Sequence, residues 1–189
     1  MKFTTGTALA ALLPSVYGHY FFDKIIVGGV ETRGGEYVRT STKQIKYNPI
    51  KWKNPLDNST PDLDDIRCGQ GAFTSASKTK VMEIAAGTDV TFKLAYGARM
   101  EHPGPSSGWL SKAPGSVQEY KGDGDWAKIY ETGICYKDRD IKTTAWCTWS
   151  KDTITLTIPK DTPNGEYLLR VEHIGLHGAH DGQAEFYPK

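Results

Sequence analysis

The chain has 189 residues, with 23 Lys or Arg against 22 Asp or Glu, so its formal net charge at pH 7 is only +1. A chain this close to neutral has no electrostatic basis for binding nucleic acid or an anionic membrane, and we expect neither as a partner. Its length fits a single domain around one core.

The first segment, residues 1–18, has the layout of a secretory signal peptide. It carries a single charge, a short apolar run from Ala8 to Leu13, and small residues, Val16 and Gly18, at the positions that precede a cleavage site. The apolar run is far too short to cross a bilayer. We therefore expect cleavage after Gly18, a secreted monomer, and one mature domain over residues 19–189. An apolar N-terminal strand or helix is the alternative.

Short β-branched and aromatic runs, separated by turn residues, recur along the mature chain, whereas helical periodicity is scarce. The segment T-I-T-L-T-I alternates strictly, which indicates a strand with one face against a core. The pattern predicts an all-β fold, an antiparallel β-sandwich of the immunoglobulin or fibronectin-III type with long decorating loops. The predicted strands are Tyr20 to Val27, Val81 to Ile84, Val90 to Leu94, Gly108 to Ser111, Ala127 to Tyr130, Thr153 to Ile158, Glu166 to His173 and Gln183 to Tyr187.

The segment 34–67 is long, polar and aromatic, and it interrupts the rhythm of short strands. Long loops on rigid sandwiches usually carry recognition, so its aromatic residues are candidates for contacting a ligand. Alternatively, they cover the edge of the core. With one aromatic residue that precedes the loop, the candidates are Tyr20, Tyr37, Tyr47 and Trp52.

The cysteines and one glycosylation triplet agree with secretion. Three cysteines in an oxidising compartment cannot all pair within one chain. Cys135 and Cys147 flank a short charged segment, and we expect a disulfide between them. Cys68 then needs a partner that the sequence does not contain, so we expect the chain to be truncated at its C-terminus. The triplet N-S-T predicts a glycan on Asn58.

Two histidines suit a metal ion. Cleavage after Gly18 gives His19 a free α-amino group, which forms a chelate with its ring nitrogen. His102 lies in M-E-H-P-G-P, where two prolines exclude a helix and hold the histidine on a stiff corner. Three nitrogens in one plane favour copper, whereas zinc prefers a tetrahedral set, so we predict one copper ion per chain. An incidental role for His19 is the alternative.

The C-terminal run adds polar residues on one face of a predicted strand. Strand alternation places Gln183, Glu185 and Tyr187 together. A polar inward face is unusual unless it lines a site, so we predict Tyr187 as an axial oxygen beside the metal. Glu185 and His177 would form an outer shell of hydrogen bonds to a bound oxygen species. A solvated edge strand is the alternative.

Acid pairs offer a weaker hypothesis, hydrolysis. Asp64 with Asp65, and Asp123 with Asp125, would suit a glycosidase, but adjacent acids in a turn are usually solvated.

Taken together, the motifs resemble a known family, the fungal lytic polysaccharide monooxygenases of auxiliary activity family 9, formerly family 61 of the glycoside hydrolases. The resemblance covers nearly all of the mature chain. Its motifs, in chain order, are G-H-Y-F-F, D-D-I-R-C-G, H-P-G-P-S-S-G-W-L-S-K-A-P-G, G-D-G-D-W-A-K-I-Y-E, P-N-G-E-Y-L-L-R-V-E-H-I-G-L-H-G-A and Q-A-E-F-Y-P.

The resemblance implies a sandwich with a flat copper face and a brace made by His19 and His102. It implies Tyr187 as the axial residue and His177 as the histidine that positions the oxygen species. The implied reaction is oxidative cleavage of cellulose or a related β-linked glucan, by hydroxylation at C1, C4 or both. It requires O2 or H2O2 and an external electron donor.

Two departures from the family are visible. The family usually has glutamine where this chain has Glu185, and Gln183 is the candidate that compensates. The family also usually continues past the axial tyrosine with a cysteine matched to Cys68, and then with a C-terminal loop. These departures leave a second hypothesis, a glycan-binding or copper-binding sandwich without catalysis.

Overall fold

The computed structural model describes residues 18–54 and 58–189, and its framework is eight β-strands. Only Gly18 of the predicted signal peptide falls within this part, so that prediction lies outside the described residues. The strands are β1 (Phe22–Val27), β2 (Val30–Glu31), β3 (Asp89–Leu94), β4 (Ser106–Lys112), β5 (Ala127–Thr132), β6 (Thr153–Thr157), β7 (Tyr167–Gly175) and β8 (Glu185–Pro188).

The strands form two four-stranded sheets, in the orders β2-β1-β3-β6 and β5-β4-β7-β8. Every pair of neighbouring strands is antiparallel. Buried side chains from both sheets, such as Phe92 of β3 and Val171 of β7, belong to one hydrophobic cluster. The predicted antiparallel β-sandwich is confirmed.

Strand β6 shows how the sequence pattern sets the core. Ile154 and Leu156 are buried, whereas Thr155 and Thr157 between and after them are exposed. Leu156 reaches the opposite sheet, because a Cβ placed on Gly108 of β4 would lie 2.6 Å from its Cδ2 atom. The alternation predicted for this strand is confirmed, and a glycine lets the sheets approach closely here.

The predicted strand Val81 to Ile84 is wrong. The structure has no regular secondary structure there, although the side chains alternate as expected: Met82 and Ile84 are half-buried against the core, and Val81 and Glu83 are exposed. The alternation in the sequence therefore reports burial of one side of an extended segment, not pairing with a neighbouring strand. In turn, the two-residue strand β2 was not predicted.

The remaining regular elements are 3-10 helices, and residues 18–54 and 58–189 contain no α-helix. Within the same ranges, no helix has the length and hydropathy to cross a membrane. The 3-10 helices are Asp64–Arg67, Ala72–Lys78, Ala95–Gly97, Val117–Glu119 and Ala179–Asp181.

Apart from the short 3-10 helix Asp64–Arg67, the described part of the segment 34–67 is a loop, as predicted, and it is anchored to the second sheet. Ile50 is buried and forms an isolated antiparallel bridge with Phe186 of β8. The backbone amide of each residue donates to the carbonyl of the other at 2.9 Å. Of the loop's aromatic residues, Tyr37 packs against the core, whereas Tyr47 and Trp52 are 47% and 52% exposed.

Candidate metal centre

Three residues from distant parts of the chain bring possible metal ligands together at one end of the sandwich. His19 precedes β1, His102 precedes β4, and Glu185 begins β8. One ligand atom from each residue lies within 4.8 Å of the others. We call these three residues the metal centre. Antiparallel pairing explains the convergence, because the starts of β4 and β8 both lie beside the end of β7.

The corner that carries His102 is fixed to the end of β7. The amide of Leu176 donates to the Pro103 carbonyl at 2.7 Å, and the amide of Ile174 donates to the Pro105 carbonyl at 3.0 Å. Only glycine fits at position 104, because a Cβ there would lie 1.7 Å from the Ile174 carbonyl oxygen. The sequence H-P-G-P therefore gives His102 a rigid backbone, as predicted.

The ring of His102 is ready to bind a metal. Its Nε2 atom is buried and has no hydrogen-bond partner among the described residues, although Oε2 of Glu185 lies 3.5 Å away. Burial and the neighbouring His177 lower the pKa of His102 to about 4, so the ring is neutral near pH 7. A buried, neutral imidazole nitrogen without a partner is a donor that suits copper, so this residue fits the predicted ion.

His19 faces His102 across the centre. Their ring centroids are 5.9 Å apart, and Nε2 of His19 lies 3.4 Å from Oε1 of Glu185. Gly18 precedes His19 in the chain, so the α-nitrogen of His19 is part of a peptide bond as long as Gly18 is attached. Ligation through the α-amino group of His19 stays a prediction.

Tyr187 lies beside both histidines, and its side chain is buried. Its ring centroid is 6.0 Å from that of His102 and 6.4 Å from that of His19, and its hydroxyl donates to Oε2 of Glu185 at 2.7 Å. Burial and the Glu185 carboxylate raise the pKa of Tyr187 well above its usual value, so the phenol keeps its proton. The ring also stacks on Tyr20, at a centroid distance of 4.3 Å.

Tyr20 is therefore not available to a ligand. It was a candidate for substrate contact, but it is only 2% exposed. Its hydroxyl hydrogen-bonds to Nδ1 of His173 at 2.6 Å, and Nε2 of His173 lies 3.2 Å from the Thr148 hydroxyl. Tyr20 thus supports Tyr187 from inside the sandwich.

The Glu185 carboxylate is buried at the centre of this group. Burial alone would raise its pKa, but hydrogen bonds from His19, Tyr187 and Lys51 hold the pKa well below its usual range. The side chain is therefore ionised throughout the physiological range. Its inward direction agrees with the predicted polar face of the last strand.

His177 lies against the opposite side of His102. The two rings stack with centroids 4.3 Å apart, and Nε2 of His177 lies 3.7 Å from Oε2 of Glu185. Gly175 makes room for this arrangement, because a Cβ there would lie 3.1 Å from Cβ of His102 and 3.4 Å from Nδ1 of His177. His177 is half-exposed, so it can contact both the centre and solvent.

Gln183 is not brought into the centre. The last strand begins at Glu185, and Gln183 lies in the preceding turn, where its Nε2 donates to the Gly182 carbonyl at 3.2 Å. The turn at Gly182, with φ at 69°, breaks the alternation on which the prediction depended. The structure thus gives Gln183 no contact that would compensate for Glu185.

Two residues at the centre were missed by the sequence analysis. Lys51 contacts Glu185, and His173 is fully buried beneath Tyr20. The local sequence around Lys51 does not indicate that it contacts Glu185. That contact depends on the bridge between Ile50 and β8, which joins residues far apart in the chain. His173 had a signal, since it continues the inward-facing positions of β7.

The remaining predicted features are not part of the group of converging ligands. Cys135 and Cys147 form the predicted disulfide, and Cys68 is a free cysteine. Asn58 is exposed, as a glycosylation site requires.

The acid pairs do not form a hydrolytic site. Asp64 pairs with Arg67 at 2.8 Å, and Asp65 accepts hydrogen bonds from Ser59 and the Gly71 amide. Asp123 and Asp125 are exposed on a turn. Asp64 and Asp65 are therefore engaged with neighbouring residues, and Asp123 and Asp125 face solvent, as expected for acids in turns.

The fold and the centre define a class: β-sandwich proteins with two histidines and a carboxylate at one end of the sandwich that could hold a metal ion. Comparison with known proteins identifies the family. The model of Auxiliary Activity family 9 (formerly GH61) matches residues 19–189, and the chain belongs to this family. Members of the family are copper enzymes.

The curated relatives agree with this assignment. The chain is 58% identical to AA9 family lytic polysaccharide monooxygenase A of Aspergillus fumigatus, over 95% of this chain and 62% of that protein. It is 57% identical to AA9 family lytic polysaccharide monooxygenase D of Emericella nidulans, over 95% of this chain and 63% of the relative. The chain thus spans less than two thirds of the length of either relative.

Solved structures show the same fold at low sequence identity. A cellulose-active polysaccharide monooxygenase from M. thermophila superposes with a TM-score of 0.67 at 24% identity, over 90% of this chain and 75% of the other. The extended catalytic domain of H. jecorina LPMO9A gives a TM-score of 0.69 at 21% identity, over 90% of this chain and 71% of the other.

Proposed function

We propose that the chain, cleaved after Gly18, is a secreted copper enzyme that oxidises cellulose or a related β-linked glucan. The observation that carries the proposal is the buried Nε2 of His102, which has no partner among the described residues and lies beside His19. Membership in the family supplies the metal and the reaction class.

His19 and His102 would hold the copper ion, the former through its α-amino group and ring and the latter through its ring. A copper ion bound there would supply the redox chemistry by which O2 or H2O2 oxidises a strong C–H bond of the sugar. With O2, one oxygen atom enters the C–H bond at C1 or C4, and two electrons and two protons reduce the other atom to water. An external donor supplies the electrons.

Residues around the two histidines set the charge and the hydrogen bonds near the ion. Tyr187 keeps its proton and donates to Glu185, so the buried phenol places no second negative charge beside the ion. His177 lies next to His102 and is half-exposed, so it is placed to donate a hydrogen bond to an oxygen species at the centre. The stiff corner at Gly104 keeps the His102 ring in place without further reorganisation.

The loop 34–67 offers a surface for a polysaccharide. Tyr47 and Trp52 are exposed on it, and the adjoining Ile50 ties this loop to the strand that carries Glu185. An exposed aromatic ring can cover the apolar face of a sugar. We therefore place substrate docking on this loop, with Asn58 as its glycosylation site.

A second function is favoured by Glu185. Both oxygens of this carboxylate accept hydrogen bonds within the protein, from Lys51 and Tyr187, whereas the amide that is usual in the family can also donate. If that donor is essential, the chain binds copper or glycan without turning over.

The two functions are separated by one experiment. The secreted protein is loaded with copper, its electron paramagnetic resonance spectrum is recorded, and it is then incubated with cellulose and ascorbate. We expect a tetragonal copper signal and oxidised oligosaccharides. A copper signal without oxidised products would favour the binding protein, and unoxidised sugars released without copper would favour a hydrolase.

A further inference from the structure

Lys51 reaches the metal centre because the loop pairs with the last strand. The antiparallel bridge between Ile50 and Phe186 places the residue after Ile50 opposite the residue before Phe186. These two residues are Lys51 and Glu185. Their opposite charges form a cross-strand pair whose register is fixed by two backbone hydrogen bonds.

The Glu185 carboxylate is held at both oxygens. Nζ of Lys51 donates to Oε1 at 3.1 Å, and the Tyr187 hydroxyl donates to Oε2 at 2.7 Å. The Lys51 and Glu185 side chains are 22% and 5% exposed, so this is a largely buried ion pair and is weakly screened by salt. Two donors from different elements fix the direction in which the carboxylate faces.

Even with Lys51 in place, the carboxylate lies close enough to both histidines to become a ligand, so Lys51 competes with a metal ion for Oε1. Its Oε1 atom lies 3.4 Å from Nε2 of His19, and its Oε2 atom lies 3.5 Å from Nε2 of His102. Two imidazoles and a carboxylate form a donor set that zinc accepts readily. An amide at the same position is a much weaker ligand. The hydrogen bonds that the Glu185 carboxylate accepts therefore affect metal binding more than those of a glutamine would.

We propose that Lys51 is a positioning residue that holds Oε1 of Glu185, competes with a bound metal ion for that oxygen, and thereby raises the preference of the centre for copper over zinc. The inference rests on the proposed function, because it takes the metal to be bound by His19 and His102. The loop that carries the exposed Trp52 thus also contributes to the metal centre.

The test compares Lys51→Met, Glu185→Gln and the double variant with the unchanged protein. Each is secreted as the full chain so that cleavage exposes His19. Zinc and copper dissociation constants are measured by titration calorimetry, and copper spectra by electron paramagnetic resonance. We expect Lys51→Met to bind zinc about tenfold more tightly and to change the copper spectrum. We expect neither effect when Glu185→Gln is already present.

Two controls separate positioning from simple charge. Lys53→Met removes an exposed lysine from the same loop and should leave both metals and the spectrum unchanged. Lys51→Arg retains the charge and should preserve the copper preference. If tighter zinc binding persists in the double variant, loss of a positive charge is the cause and the proposal is overturned.

The result is independent of turnover. Copper binding without oxidised sugars would remove the proposed function but would leave the zinc comparison decisive. Equal zinc affinities in Lys51→Met, Lys53→Met and the unchanged protein would overturn the role of Lys51 even if cellulose is oxidised. A cleaved protein that binds neither metal would overturn both proposals.

Discussion

The imidazole of His177 stacks on the imidazole of His102, with ring centroids 4.3 Å apart and ring planes inclined by 30°. Gly175 leaves the space in which both rings fit. Although His177 is close, it is not one of the three residues whose ligand atoms converge. This relationship places His177 beside the group that could hold a metal ion and not within it.

Replacing His177 by alanine should leave copper binding intact and slow the oxidation. A group that supports a metal site from outside the ligand set typically changes activity by about 10- to 100-fold. Product formation from cellulose and copper titration measure the two effects separately. His180→Ala is the matched control, because His180 is exposed and pairs with Asp181. Loss of copper from His177→Ala would show that His177 is itself a ligand.

An extra residue in front of His19 should abolish tight copper binding without changing the fold. The α-amino nitrogen then belongs to a peptide bond and cannot be a ligand. Calorimetric titration with copper and a circular dichroism spectrum check the two statements. Tight binding by a protein that begins with an additional alanine would contradict the role of the α-amino group. N-terminal sequencing of the secreted chain shows which form is present.

Tyr187→Phe should destabilise the fold while copper still binds. The variant removes the hydroxyl that donates to Oε2 of the buried Glu185. A hydrogen bond to a charged group contributes about 1.5–3 kcal/mol, so the free energy of unfolding should fall by about that amount. Denaturant unfolding of the metal-free protein measures it. In a Glu185→Gln background the loss should be smaller, and an equal loss would contradict this pairing.

The buried His173 should make the protein less stable in acid. Burial, with a smaller contribution from His102, lowers the pKa of His173 to about 3 from 6.5. Between these values the unfolded chain binds a proton that the folded chain does not, so stability falls as the pH falls from 6.5. The loss is up to about 1.4 kcal/mol per pH unit, and above pH 6.5 this residue adds no pH dependence.

Denaturant midpoints between pH 7 and pH 4 test this expectation. His173→Gln should give a flatter pH profile, although its stability at pH 7 is lower because Tyr20 and Thr148 lose a partner. A residual slope from His102 should remain, since its pKa is also lowered. His180→Gln, a change at an exposed position, should keep the original profile.

The sandwich and much of the metal centre could be predicted from local sequence. Strict alternation in β6 gave its buried face, and H-P-G-P indicated a stiff corner, because both signals depend on neighbouring residues alone. The strand predicted at Val81 to Ile84 is wrong because strand pairing does not depend on neighbouring residues alone. Whether an extended segment pairs with another strand depends on distant backbone, which the local pattern does not contain.

The missed residues of the centre have the same cause. Lys51 contacts Glu185 only because Ile50 is bridged to β8, and the alternation that included Gln183 ends at the turn before β8. Resemblance to the family identified the residues that match its motifs. It did not identify a lysine that matters only where glutamate stands in place of glutamine.

The position of the centre between the two ends of the described chain affects the order of maturation. His19 precedes the first strand, and Glu185 and Tyr187, which lie against the two histidines, belong to the last, so the surroundings of the centre are complete only after β8 has joined β7. A partly folded chain therefore lacks the enclosed site, and a metal ion that binds there would selectively stabilise molecules that have finished folding. Metal occupancy of the secreted protein would then record completed folding as well as copper supply.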